Sequence, residues 1–129
     1  MRTKKLTNLS YLRQATGGEA QIMKEFIEMF FDQIPKIRKD LRVCLENERW
    51  DELGNLARIA KTSVMTFGLI DLSRQLSNFH LKTYKKIGIN SYPAYVEEFE
   101  TVTTQAEEEL KHELLRLNGY RMKRENAIA

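Results

Sequence analysis

The stretch DELGNLARIAKTSVMTFG, residues 51–68, reads as a single amphipathic helix and points to an all-α chain. At about 100° per residue, Leu53, Leu56, Ala60, Val64 and Phe67 fall on one side. Asp51, Gly54, Asn55, Arg58, Lys61, Thr62 and Met65 share the opposite side. Arg58 and Lys61 are therefore expected to be solvent-facing cations one turn apart, with Met65 an exposed apolar residue beside them. Gly68 lies just past the helix end, where a left-handed residue often closes the last turn.

Helical spacing continues on both sides of this stretch. Upstream, Asn8 or Ser10 can cap a short helix through about Thr16, with Leu9, Leu12 and Tyr11 facing inward and Gly17-Gly18 ending it. A long pattern from Glu19 to Glu46 repeats Ile22, Phe26, Met29, Phe30, Ile37, Leu41 and Leu45 at three- and four-residue steps. Pro35 removes a backbone donor inside it and is expected to kink or break the helix. Downstream, a fourth pattern from Leu69 or Asp71 carries Leu72, Leu76 and Phe79 and fades at Ile87–Ser91. Pro93 suits the first turn of a last helix. That helix carries Val96, Phe99, Val102, Ala106, Leu110, Leu114 and Leu117, and is expected to end near Asn118-Gly119, leaving residues 119–129 as a frayed basic tail. No strand-like alternation, repeat or low-complexity segment interrupts the series. The expected fold is all-α: an antiparallel up-down-up-down four-helix bundle, with the short first helix across one end.

Composition agrees with a single domain over residues 1–129. Charged residues make up 30% and hydrophobic ones 42% of 129 residues, and six glycines and two prolines leave room for long helices. The net charge of +3 is mild and lacks the clustered basic stripe of a nucleic-acid binder. The basic tail residues Arg116, Arg121, Lys123 and Arg124 give weak grounds for nucleic-acid or membrane contact. No apolar run approaches the ~20 residues of a membrane span, and the basic start Met1–Lys5 leads into no apolar signal core. The one cysteine, Cys44, sits among Leu41, Val43 and Leu45 and reads as a reduced core thiol. A cytoplasmic location is the expectation. No paired His/Cys spacing or Glu-x-x-His unit suggests a metal, and no glycine loop suggests a nucleotide, so no cofactor and no small-molecule substrate is expected. Glu97-Glu98 and Glu107–Glu109 read as solvated faces, and His112 as surface.

The segment Ala57-Arg58-Ile59-Ala60-Lys61-Thr62-Ser63 followed by Gly68 resembles the signature of histidine-phosphotransfer (HPt) domains. That signature reads roughly Ala-His-x-Leu-Lys-Gly-Ser, with a glycine ten places after the histidine. Ala57, Lys61, Ser63 and Gly68 match it in type and spacing. Thr66-Phe67-Gly68 looks like the phosphotransfer domains of chemotaxis kinases. Tyr11-Leu12 before Gly17-Gly18-Glu19, Phe26–Phe31 before Pro35, and Trp50–Leu53 look like the family's entry segment, second helix and lead-in to the site. The resemblance covers about residues 6–85. Two departures fall at the chemistry: Arg58 stands where the phosphoacceptor histidine would be, and Thr62 where a glycine would leave room for a partner's active site.

The resemblance implies a protein of two-component phosphorelay signalling that has lost its acceptor. Arginine keeps its proton at all relevant pH and offers no lone pair to attack an aspartyl phosphate. It can instead pair with carboxylates, such as those a receiver domain presents around its divalent metal. The leading expectation is a non-catalytic module that binds a response-regulator receiver domain or a histidine kinase. Its partner surface would be Arg58, Lys61, Thr62, Met65, Gly54 and Asn55. His80 lies twenty-two places after Arg58, where chemotaxis-type HPt domains carry a glutamate that bonds the acceptor histidine. It falls on the flank of its helix's inward face, so a relocated acceptor at His80, assisted by Arg58 and Lys61, is one alternative. A helical adaptor unrelated to signalling is another.

Overall fold

The computed structural model describes residues 5–128, with side chains as far as residue 119. Residues 1–4 of the basic start, residue 129 and the tail side chains of Arg121, Lys123 and Arg124 lie outside that description. Five α-helices form: α1 (Ser10–Thr16), α2 (Ala20–Glu46), α3 (Trp50–Thr66), α4 (Ile70–Lys85) and α5 (Tyr92–Ile128), with a 3-10 turn at Ile89–Ser91 before α5. The described residues contain no strand. The long helices share one apolar core: α2 packs on α3 and α5, and α4 packs on α3 and α5. No helix among the described residues is long and apolar enough to cross a membrane.

Local chemistry sets the bounds of α1. The N-cap of α1 is Leu9, with no side-chain cap, and from the position before it the Asn8 side-chain oxygen accepts the Ser10 amide at 2.9 Å. Gly17, at φ +66°, closes that helix. Leu9 and Leu12 are buried, but Tyr11 is 63% exposed rather than inward. Leu9 and Leu12, three residues apart, share the side that meets the core, and Tyr11 lies about 100° around the helix from Leu12.

Helix α2 corrects two expectations. Pro35 does not break it, because the missing donor costs one hydrogen bond on the exposed side while Ile34 and Ile37 anchor the core side across it. Its buried stripe is Met23, Ile27, Phe30, Ile34, Ile37, Leu41 and Cys44, so Phe26 and Met29 lie exposed and Ile22 half-buried. Cys44 is a free buried thiol, and burial, with Glu52 nearby, pushes it up from its ordinary pKa. The last helix also differs from expectation: α5 runs through Gly119 to Ile128. One glycine costs a helix only about 1 kcal/mol, and the residues after it, Arg, Met, Lys and Glu among them, are good helix formers.

Two features tie the ends together. Tyr92 is fully buried, and its hydroxyl donates to the carbonyls of Lys82 (3.0 Å) and Ile87 (2.9 Å), pinning the α4–α5 turn. Glu109 on α5 clasps the N-terminal segment. Its carboxylate accepts the amides of Leu6 (2.9 Å) and Thr7 (2.8 Å), the Thr7 hydroxyl (2.7 Å) and the Gln105 side-chain amide (3.1 Å). Burial works to raise the Glu109 pKa, but the bonds from Leu6, Thr7 and Gln105 outweigh it and hold the carboxyl below its ordinary value of 4.5. A carboxyl depressed in the folded state stabilises the fold above its unfolded-state pKa. That contribution is lost as pH falls through the folded-state value. Wild type is therefore expected to lose stability below about pH 4.5 more steeply than Glu109→Gln, as read from urea midpoints across pH. Parallel pH profiles would show that the clasp does not contribute.

Candidate functional site

The outer face of α3 is set by what its inner face buries. Leu53, Gly54, Ala57, Ala60 and Val64 are covered, so Asn55, Arg58, Ile59, Lys61, Thr62 and Met65 point to solvent. Arg58 Nη2 donates to Asn55 Oδ1 one turn back, at 2.8 Å. Arg38, Arg42, Arg49, Arg74 and Arg116 each form an ion pair, whereas Arg58 and Lys61 meet no carboxylate among the described residues. The guanidinium is thus held by a neutral acceptor and keeps its charge available. Of the motif residues, Ala57 is buried, Ser63 is half-buried, and Gly68 adopts φ +76° at the end of α3.

Gly54 does not belong to this surface. It is buried where α4 crosses α3, and a Cβ there would lie 2.1 Å from Thr83 Oγ1 and 3.0 Å from Thr83 Cβ. The helical wheel placed it outward because it lies about 100° from Leu53, which is the side α4 approaches. A helix between two neighbours buries a wider arc than one apolar stripe suggests. The signal was present in the sequence: glycine inside a helix costs about 1 kcal/mol relative to alanine, so a packing reason was to be sought.

His80 reaches across this close approach. Its Nδ1 lies 3.0 Å from the Gly54 carbonyl, which can only accept, so Nδ1 carries the proton and the neutral ring's lone pair is left on Nε2. Thr83 Oγ1 donates to the His80 carbonyl at 2.8 Å. A hollow of about 230 Å³ here is lined by Asp51, Gly54, Asn55, His80, Thr83 and Tyr84. Arg58 touches it through Asn55, but neither Arg58 nor Lys61 lines it. The expected assistance of both cations at His80 is thus not formed, because they project from α3 away from the α4 flank that carries the histidine. The hollow's charged neighbour is instead Asp51, an anion.

A second hollow, missed by sequence reasoning, adjoins the Arg58 face at the other end of α3. It has a volume of about 520 Å³ and is lined by Asn8, Ser10 and Tyr11 from the N-terminal segment, by Lys61, Thr62, Met65, Thr66 and Gly68 around the end of α3, and by Ile70 from α4. Its apolar walls come from three helices, of which α1 lies far from α3 and α4 in sequence, so no single periodic pattern announces it. No group of three or more histidine, cysteine, aspartate or glutamate side chains is placed to hold a metal among the described residues. No protein-family model matches this chain, and no curated protein or solved structure matches it.

Proposed function

We propose that this chain is an HPt-like interaction module of two-component signalling, which binds a receiver domain or a histidine kinase through the α3 face and carries no phosphate at Arg58. The observation that carries the reading is Arg58 itself: exposed at the centre of that face, met by a neutral acceptor, and followed one turn later by Lys61, which has no ion pair among the described residues. Such a guanidinium can form a two-bonded pair with a carboxylate of a partner's acidic pocket, but it cannot accept a phosphoryl group. The reading takes α2 to α5 as an up-down-up-down four-helix bundle with α1 across one end. It is supported by Phe30 meeting Phe67 (4.7 Å between centroids) while Cys44, later in α2, meets Glu52 at the start of α3 (3.7 Å), contacts that suit opposite directions for the two helices.

A second reading, phosphate carriage by His80, is favoured by the Nε2 lone pair that the Gly54 contact leaves free. Asp51 in the same hollow weighs against it, since its charge would repel a phosphoryl group.

The test is binding of a panel of purified receiver domains and kinase fragments, with phosphorylated receivers included. Hydrogen bonds to charged groups contribute about 1.5–3 kcal/mol, so Arg58→Glu is expected to weaken binding by more than tenfold while wild type takes up no label. Equal binding by wild type and Arg58→Glu removes Arg58 from the mechanism, and binding to no member of the panel overturns the signalling reading. Label on wild type that is missing from His80→Ala would establish the second reading instead.

A further inference from the structure

Tyr11, Met65 and Ile70 are 63%, 49% and 48% exposed, and they converge on the 520 Å³ hollow from α1, α3 and α4. Isolated exposed apolar residues are ordinary, but three that share one concave surface mark a binding groove. Because its walls stay about half exposed, it is an open groove suited to side chains carried on a partner's backbone. Its polar neutral side chains are hydroxyls and the Asn8 amide, and among the residues lining it Lys61 is the charged one. Arg58 lies one turn before Lys61, and neither pairs with a carboxylate among the described residues. Asp71, the residue after Ile70, pairs with Arg74 at 3.6 Å. The edge of the groove is therefore apolar inside and cationic outside, with its positive charge uncompensated.

The wall that carries Tyr11 is conditional. A helix of seven residues is too short to persist by itself. α1 is held by burial of Leu9 and Leu12, by the Asn8 amide donating to the Phe67 carbonyl at 2.9 Å, and by the Glu109 clasp on Leu6 and Thr7. Removing the clasp loosens the segment that forms this side of the groove.

We propose that the groove between α1, the end of α3 and the start of α4 is a docking site for a helix of a protein partner that is apolar on one face and edged with carboxylates. Its apolar side chains lie against Tyr11, Met65 and Ile70, and its carboxylates meet Lys61 and Arg58. The Glu109 clasp keeps the site formed by holding Tyr11 in place. This goes beyond the single carboxylate pair proposed for Arg58, since it specifies an apolar contact and adds Tyr11 and Ile70 to Arg58, Lys61 and Met65 of the α3 face.

Titration of the ¹⁵N-labelled full chain with two synthetic amphipathic helical peptides tests it. The two share one leucine face and are edged with glutamate or with lysine. The glutamate-edged peptide is expected to shift the amides of Ser10, Tyr11, Lys61, Met65 and Ile70, and the lysine-edged one to bind at least tenfold more weakly. Tyr11→Ala, an exposed change that leaves the core intact, is expected to weaken the glutamate-edged peptide by about tenfold, the loss of about 1.4 kcal/mol typical of a well-placed anchor. Glu109→Gln is expected to weaken it in the same direction, with the melting curve confirming that the chain is folded. Failure to shift the groove amides at millimolar peptide, equal affinity for both peptides, or an unchanged Tyr11→Ala variant would each overturn the proposal. So would concentration-dependent shifts at these amides without peptide, which would assign the groove to a second copy of this chain. Unchanged binding by Glu109→Gln would overturn the role of the clasp. Peptide binding at the groove without receiver or kinase binding would leave this site standing and remove the signalling reading. The converse result would remove the groove and leave Arg58.

Discussion

Gly68→Ala is expected to destabilise the chain by about 2–4 kcal/mol and to lower its melting temperature by roughly 10 °C. Two effects act together. Gly68 sits at φ +76°, a left-handed conformation that costs a residue with a side chain on the order of 1 kcal/mol or more. The added Cβ would also lie 2.4 Å from the Asn8 carbonyl oxygen, 2.7 Å from Asn8 Cβ and 2.8 Å from the Asn8 amide nitrogen. Two of these are backbone atoms, which cannot rotate aside as a side chain can. The N-terminal segment must lift, breaking the Asn8 to Phe67 hydrogen bond and pulling on the Glu109 clasp. Thermal unfolding followed by circular dichroism checks the magnitude. Hydrogen exchange at Leu6 to Leu9 checks the mechanism, since protection should fall there before it falls in α3 and α4. A loss below about 0.5 kcal/mol would show that the segment is not pressed onto Gly68.

The second large effect is expected at Gly54, where helix propensity and packing predict opposite signs. In an exposed helix interior, alanine is better than glycine by about 1 kcal/mol. At Gly54 the new methyl would lie 2.1 Å from Thr83 Oγ1. Thr83 is 1% exposed, and its hydroxyl is engaged with the His80 carbonyl. The hydroxyl turns away only by giving up that bond inside the core. Otherwise α3 and α4 must separate, disturbing the His80 contact with the Gly54 carbonyl. Gly54→Ala is expected to destabilise by about 1–3 kcal/mol, measured by urea unfolding, with a larger loss for Gly54→Val, which adds a branched side chain. The pair Gly54→Ala with Thr83→Ala should recover part of the loss, because the 2.1 Å contact disappears and a 3.0 Å contact remains. A stabilised Gly54→Ala variant would mean that α4 does not press on α3 there.

These two glycines show where sequence reading succeeds and where it stops. Gly68 could be read as a helix terminator, because a glycine after the last apolar position of an amphipathic run is a local signal. That Asn8 lies against it could not be read, because the contact joins residues sixty positions apart. Gly54 was assigned outward by the same wheel that correctly placed Arg58, Lys61, Thr62 and Met65 in solvent. The wheel knows one core direction, and α3 has neighbours on two sides. Helix α2 makes a related point. It carries two adjacent apolar stripes, Ile22-Phe26-Met29 and Met23-Ile27-Phe30, that satisfy helical spacing almost equally. Docking against α3 and α5 selected the second, so Phe26 and Met29 remain on the surface.

What the amino-acid order determined by itself is therefore the local part: five helices, their starts and most of their ends, a buried Cys44, and an arginine at the exposed centre of α3. These depend on interactions within four residues of one another, which leave a periodic record in the chain. Tertiary structure alone decided which stripe of α2 is core, how closely α4 approaches Gly54, which nitrogen of His80 keeps its lone pair, and how Glu109 holds the N-terminal segment that walls the groove. Each of these depends on contacts between residues far apart in sequence, and whether such contacts form is settled by how whole helices pack.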